Sequence, residues 1–405
     1  MPRRARLVAL LLLAFGVTSS PDLVTPAAAG SREDECQDLS RRAVTLLGEA
    51  ERASDARKAI EAATMLERAM RLCPENLELP FQRALALCVA RDEDAARAAL
   101  RSLDEQLVAR GTDPEKDPRS LYVRALVHFT FGNNAAACLD VLRVLEARAP
   151  QFLPAAVANL RFRAHLDYAN QLAFGRAFHD AIKHAQLAVE VARGNERRTD
   201  LARRNLGQIY RMADRWIESQ TEFEDLVRKY PQDAVLRYAL ASVLADQLKF
   251  EEACAQWTEV LRLRTLPGSV DPREADQLAD APLRYGVSLV HALRVPDGLG
   301  RIRAYVKENP SDVRGWVHLG VTLLDNADPS DPAGAAEALE KALTLDPLCE
   351  RTLRRLVEIY TGPKPDAARA KELQATLDDP KAKARREAEM DRRKKVRPDR
   401  TTGCE

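Results

Sequence analysis

Five prolines close helical stretches of this chain, Pro74, Pro150, Pro231, Pro310 and Pro347, and they stand 76, 81, 79 and 37 residues apart. Those gaps lie near one or two multiples of a unit slightly longer than roughly 34 residues, which is the mark of a repeat array. Proline lacks a backbone N–H and clashes with the preceding helical turn, so a recurring proline means a recurring helix end. Between the prolines the apolar pattern follows two amphipathic helices joined by a short polar or Gly-containing turn. A chain of 405 residues has room for two or three globular domains or one long array, and the repeats decide for the array. Composition agrees: 46% hydrophobic and 30% charged residues with only 17 Gly and 22 Pro suit helices almost throughout. With 62 Lys+Arg against 61 Asp+Glu, the basic excess of a dedicated nucleic-acid binder is missing.

The clearest unit runs from Asp200 to Asp233, with Leu206-Gly207, Tyr210, Phe223 and Pro231 at its key places. Small residues let the paired helices approach, large apolar ones fill the space around them, and the proline ends the second helix. In these residues the chain resembles the tetratricopeptide repeat family, a 34-residue helix–turn–helix. Ser219 and Leu226 depart from the family's usual alanines. The next unit starts at Ala234, with Leu240-Ala241, Ala253 and Trp257; a later one starts near Val313, with Trp316, Leu319, Gly320, Ala335, Leu339, Ala342 and Pro347. In the latter, Asp331 suits an N-cap and Pro332 a first helical turn. Weaker units include one between Ala279 and Ser311, one with Gly132-Asn133 as its turn, and one from Phe162 whose first helix is lengthened by Gln151 to Arg161. A degenerate pair from Glu350 to roughly Leu377 caps the array.

The resemblance implies an all-α, right-handed α-solenoid of stacked helix–turn–helix repeats, about nine units over 36–380. It also implies a non-catalytic scaffold that binds a partner protein or extended peptide along the concave groove lined by first helices. Places 2, 5, 9, 12 and 13 of each first helix should face that groove, which selects Arg204, Gln208, Arg211, Tyr238 and Asp246. Asn170 and Asn205 fall where some family members carry two asparagines that grip a ligand's terminal carboxylate. The basic places of that set hold Leu166, Val235 and Ala239 instead, which argues against a clamp of that type. The stretch from Arg193 to Arg215 carries seven Arg against three acids, so an acidic partner segment is one candidate.

The ends differ from the body. Arg3, Arg4 and Arg6 precede an apolar run from Leu7 to Val17, too short to span a bilayer and patterned like a signal peptide. A leader of residues 1–29 is expected, cut after Ala29 or after Ser19, with an uncleaved anchor as the other reading. The expected location is therefore the periplasm or cell envelope. Residues 381–405 hold ten Lys/Arg and five Asp/Glu and read as a frayed helix passing into a disordered basic tail. The runner-up function follows: an accessory subunit tethered by this tail to a membrane or anionic envelope polymer. Of seven cysteines, Cys88, Cys138 and Cys254 sit among Ala and Leu as buried thiols, and the pairing of Cys36, Cys73, Cys349 and Cys404 is open.

Nothing in the sequence points to catalysis, a cofactor or a metal. The six histidines are dispersed, the Asp325, Asp328 and Asp331 turn lacks the Gly and Glu of a calcium loop, and no nucleophile elbow or phosphate loop occurs.

Overall fold

The computed structural model describes residues 32–266, 271 and 274–396; the expected leader of residues 1–29 and residues 397–405 lie outside them. The described residues form nineteen α-helices and no strand. Two compact units divide them. The first comprises the described chain up to Leu172 with His179–Ala202, and the second comprises Ala173–Phe178 with the described chain from Arg203.

The helices of the first unit are α1 (Arg32–Ala53), α2 (Ala56–Leu72), α3 (Glu78–Ala90), α4 (Glu93–Ala109), α5 (Pro118–Thr130), α6 (Ala135–Arg148), most of α7 (Pro154–Phe174), and α8 (Phe178–Val191). Helix α9 (Glu196–Met212) is shared between the units. The second unit continues with α10 (Trp216–Lys229), α11 (Ala234–Asp246), α12 (Phe250–Arg264), α13 (Ala281–His291), α14 (Val295–Glu308), α15 (Val313–Asp325) and α16 (Pro332–Leu345). It ends with α17 (Glu350–Thr361), α18 (Ala367–Asp378) and α19 (Pro380–Val396). Odd-numbered helices up to α17 are the first members of hairpins and even-numbered ones the second. The 21-residue α7 is the lengthened first helix that the sequence predicts.

Local chemistry sets the helix ends. Asp55, Asp92, Asp117, Asn134, Asp233, Asp312, Asp331 and Asp366 each accept a backbone N–H at a helix start, satisfying donors the first turn leaves open. Seven hairpins turn through one left-handed residue between their helices: Ser54, Arg91, Asn133, Arg176, Asp214, Leu248 and Leu293. Within a hairpin, helices meet at small residues. A Cβ on Gly298 would stand 2.7 Å from the Gly286 carbonyl oxygen, so α13 and α14 cross where neither has a side chain.

The first unit's core packs Leu66, Leu79, Leu103, Leu142 and Leu160 around Phe81 and Tyr122, whose rings meet edge to face with Phe152 at 6.0–6.5 Å. Cys36 of α1 and Cys73 at the end of α2 are joined in a disulfide with their Cα atoms 6.4 Å apart. Cys88, Cys138 and Cys254 are buried free thiols, as their neighbours in the sequence suggest. In the second unit Trp257 is fully buried, its indole N–H donating to the Ser288 hydroxyl at 3.1 Å.

Helix α19 carries the start of the basic segment, where Asp379 accepts the Lys381 N–H and buried Arg386 donates to the carbonyls of Thr376 and Leu377. A departure from the repeat pattern is the segment between α12 and α13, where a short 3₁₀ turn at Ala275–Leu278 brings Glu274 and Asp280 back to the first helices.

Candidate functional site

Polar side chains of the second unit connect one first helix to the next without passing through the second helices. Arg211 of α9 pairs with Asp246 of α11 at 2.5 Å, and Arg204 of α9 reaches Glu274 at 3.5 Å. Tyr238 of α11 donates to Asp280, the residue before α13, at 2.7 Å. Asp280 also accepts from Arg284 of α13 at 3.2 Å and from Arg314 of α15 at 2.9 Å. Arg314 continues to Asp312, which on a side branch accepts the Tyr305 hydroxyl of second helix α14 at 2.6 Å, and Arg355 of α17 pairs with Asp325 of α15. The result is a ladder of charges along the first-helix face from α9 to α17.

Asp280 is the hub, with its side chain only 3% exposed. Burial alone would raise its pKa. The Arg284 charge, the Tyr238 hydrogen bond and Arg314 together outweigh burial and hold the carboxyl below its usual range. An ion so buried is tolerable only with three donors around it.

The sequence-predicted residues land as follows. Arg211, Asp246, Arg204 and Tyr238 all belong to the ladder, and Arg211 and Asp246 are each other's partners. Gln208 is half-buried on α9 between them. Asn205 is half-buried on α9 in the second unit, whereas Asn170 lies on α7 in the first. The Arg-rich stretch is largely neutralised within the chain. Arg193, Arg203, Arg204, Arg211 and Arg215 pair with Glu190, Glu222 and Asp225, Glu274, Asp246 and Glu218.

Sequence reasoning missed Glu274, Asp280, Arg284, Arg314, His318 and Arg351. A signal was present for three of them. Place 2 of the units beginning at Ala279, Val313 and Glu350 is Asp280, Arg314 and Arg351.

The histidines are less dispersed than their numbering implies. His165 of α7 and His184 of α8 face each other with their Nδ1 atoms 2.9 Å apart. Burial, with His184 alongside, lowers the His165 pKa to about 4. Among the described residues no third His, Cys, Asp or Glu joins them to make a metal set.

A tetratricopeptide repeat family model matches residues 286–348, from the middle of α13 to the loop before α17. No curated protein matches the chain. Among solved structures, the apo form of the quorum sensor NprR from B. thuringiensis is 14% identical, covering 86% of this chain and 99% of that one with a TM-score of 0.47. The C-terminal part of a TPR repeat-containing protein from Cytophaga hutchinsonii is 13% identical, covering 78% and 99% with a TM-score of 0.43. YrrB, described as a TPR protein with an unusual peptide-binding site, is 19% identical, covering 47% and 89% with a TM-score of 0.36.

Proposed function

The chain carries tetratricopeptide repeats, and from that premise we propose that it is a non-catalytic scaffold that holds a partner protein or peptide on the first-helix face of its second unit. The observation that carries this reading is the ladder from Arg211–Asp246 to Arg355–Asp325. It places alternating charges on five successive first helices, most of them half-buried around the buried Asp280, and already fixed in position by one another. A surface of this kind recognises an extended segment by exchanging internal ion pairs for intermolecular ones, at little cost in side-chain ordering.

The proposed location is outside the cytoplasm. Support comes from the leader pattern of residues 1–29 and from the Cys36–Cys73 disulfide, since such bonds persist in oxidising compartments.

The test is site-specific photocrosslinking in cells. A crosslinker at Gln208 or Arg355 should capture one and the same protein from the envelope fraction, and a crosslinker at the exposed second-helix residue Thr221 should not. Equal capture from Thr221, or none from either ladder position, would refute the assignment of this face.

A further inference from the structure

Three successive hairpin turns of the second unit carry exposed large apolar side chains. Trp216 and Ile217 begin α10, Leu248 lies between α11 and α12, and Leu293 lies between α13 and α14. Contacts join these turns into one ridge. The side-chain amide of Gln247, beside Leu248, donates to the Trp216 carbonyl at 3.2 Å and to the Gln220 Oε1 at 2.8 Å. Phe250, two residues after Leu248, stacks on His291, two residues before Leu293, with ring centroids 4.8 Å apart.

Two of the apolar residues are held against their own conformational preference. Leu248 and Leu293 have left-handed φ angles of 63° and 61°, and neither buries its side chain within the chain. Asp214 fills the same place in the α9–α10 turn without that conflict. Backbone strain of this kind persists where the side chain serves a function, and a continuous exposed apolar ridge is a surface that another molecule covers.

The charges beside the ridge say which molecule. Residues 214–218, 247–252 and 291–297 together hold five Asp/Glu and three Lys/Arg, a balance that gives an anionic lipid surface no attraction. At the two outer turns the cations are spent locally, Arg215 on Glu218 and Arg294 on Asp297. At the central turn Lys249 donates only to the neutral Gln220, and exposed Glu251 and Glu252 form no ion pair among the described residues. One unspent cation beside two unspent acids is a self-complementary set. The apolar residues have the same property, since Leu248 has Trp216 and Ile217 on one side and Leu293 on the other.

We propose that this ridge is a self-association surface, on which a second copy of the chain docks antiparallel about a two-fold axis near Leu248. In such an isologous contact Leu248 meets its counterpart, Ile217 of each copy meets Leu293 of the other, and Lys249 of each meets Glu251 and Glu252 of the other. The ridge is narrow, so association is transient, with a dissociation constant on the order of 10–100 µM. It is formed by the hairpin turns, so pairing leaves the charge ladder of the first-helix face open, and the inference stands apart from the scaffold reading.

The experiment is sedimentation equilibrium of the full chain from roughly 1 to 200 µM, which spans the expected dissociation constant. The parent should pass from monomer to dimer. Leu248→Asp should weaken association at least tenfold while the dilute monomer melts no lower than the parent, because Asp214 already occupies the equivalent turn place. Lys249→Glu and the double variant Glu251→Lys, Glu252→Lys should each associate poorly alone and recover parent-like dimerisation when mixed. A photocrosslinker at Ile217 should map by mass spectrometry to the Leu293 turn of a second copy. A parent that stays monomeric throughout, undiminished association in Leu248→Asp, or mixed charge variants that fail to recover would overturn the proposal. Cosedimentation of a monomeric parent with phosphatidylglycerol vesicles, lost in Leu248→Asp, would overturn it in favour of a lipid surface.

Discussion

The Ser219 hydroxyl on α10 donates to the backbone carbonyl of Gly207 on α9 at 2.8 Å, tying the two helices of one hairpin together. At the same point a Cβ on Gly207 would lie 3.1 Å from the Phe223 ring and 3.3 Å from the Glu222 Cβ. The serine that departs from the family's alanine therefore adds a bond without adding bulk. Gly207→Leu should wedge the hairpin open and cost about 3 kcal/mol, and Ser219→Ala about 1 kcal/mol. Urea unfolding of both variants checks this, and a Gly207→Leu midpoint equal to the parent's would mean that α9 and α10 do not meet there.

The Arg211–Asp246 pair changes what charge reversal should do. From sequence, replacing Arg204 and Arg211 by Glu is expected to weaken partner binding with stability untouched. Both arginines in fact hold acids of their own chain, and Arg211 is only 16% exposed. Arg211→Glu should place two carboxylates together and lower stability by about 1–2 kcal/mol, and adding Asp246→Arg should restore most of it. A double-mutant cycle by thermal melting decides, and zero coupling between the sites would show that the pair contributes nothing.

How far this was legible in the sequence depends on what each residue is for. Gly207, Trp257, Asp331 and Pro332 could be placed from spacing alone, because the helix-pair geometry leaves few residue types that fit. The ladder could be read only in part. Place counting finds Arg204, Arg211, Tyr238 and Asp246 on one face, but not that Arg211 and Asp246 would choose each other, since that depends on the offset between neighbouring first helices. Glu274 escaped notice because the segment after α12 breaks the repeat period. Nothing periodic announces that the segment before the 3₁₀ turn will carry an acid back to the face.

In the first unit, Glu51 at the end of α1 is 1% exposed, and neither carboxylate oxygen has a hydrogen-bond partner. Burial raises its pKa from 4.5 to about 8, with Arg163 opposing. The folded chain therefore keeps a proton there that the unfolded chain releases near pH 4.5. Stability from this residue is greatest below that pH and falls as pH rises toward 8, by on the order of 3 kcal/mol. Glu51→Gln should flatten that slope and stabilise the chain at pH 8. Denaturation midpoints compared at pH 5 and pH 8 test it, and a parent slope retained in Glu51→Gln would exclude Glu51 as the group responsible.

Leu293 occupies the left-handed turn between α13 and α14 at φ 61° and is 88% exposed. Leu248 repeats the arrangement between α11 and α12 at φ 63° and 73% exposure. The other five hairpin turns use Ser54, Arg91, Asn133, Arg176 and Asp214 in the same conformation, all of them polar. A leucine gains no burial in such a place, and its Cβ crowds the following carbonyl, a strain that asparagine bears better. Leu293→Asn should therefore stabilise the chain by about 0.5–1 kcal/mol, with Leu248→Asn adding independently because the two turns belong to different hairpins. Differential scanning calorimetry of the single and double variants measures both. A lower melting temperature in either would mean that the leucine makes a stabilising contact that its exposure conceals, and that its turn is not strained.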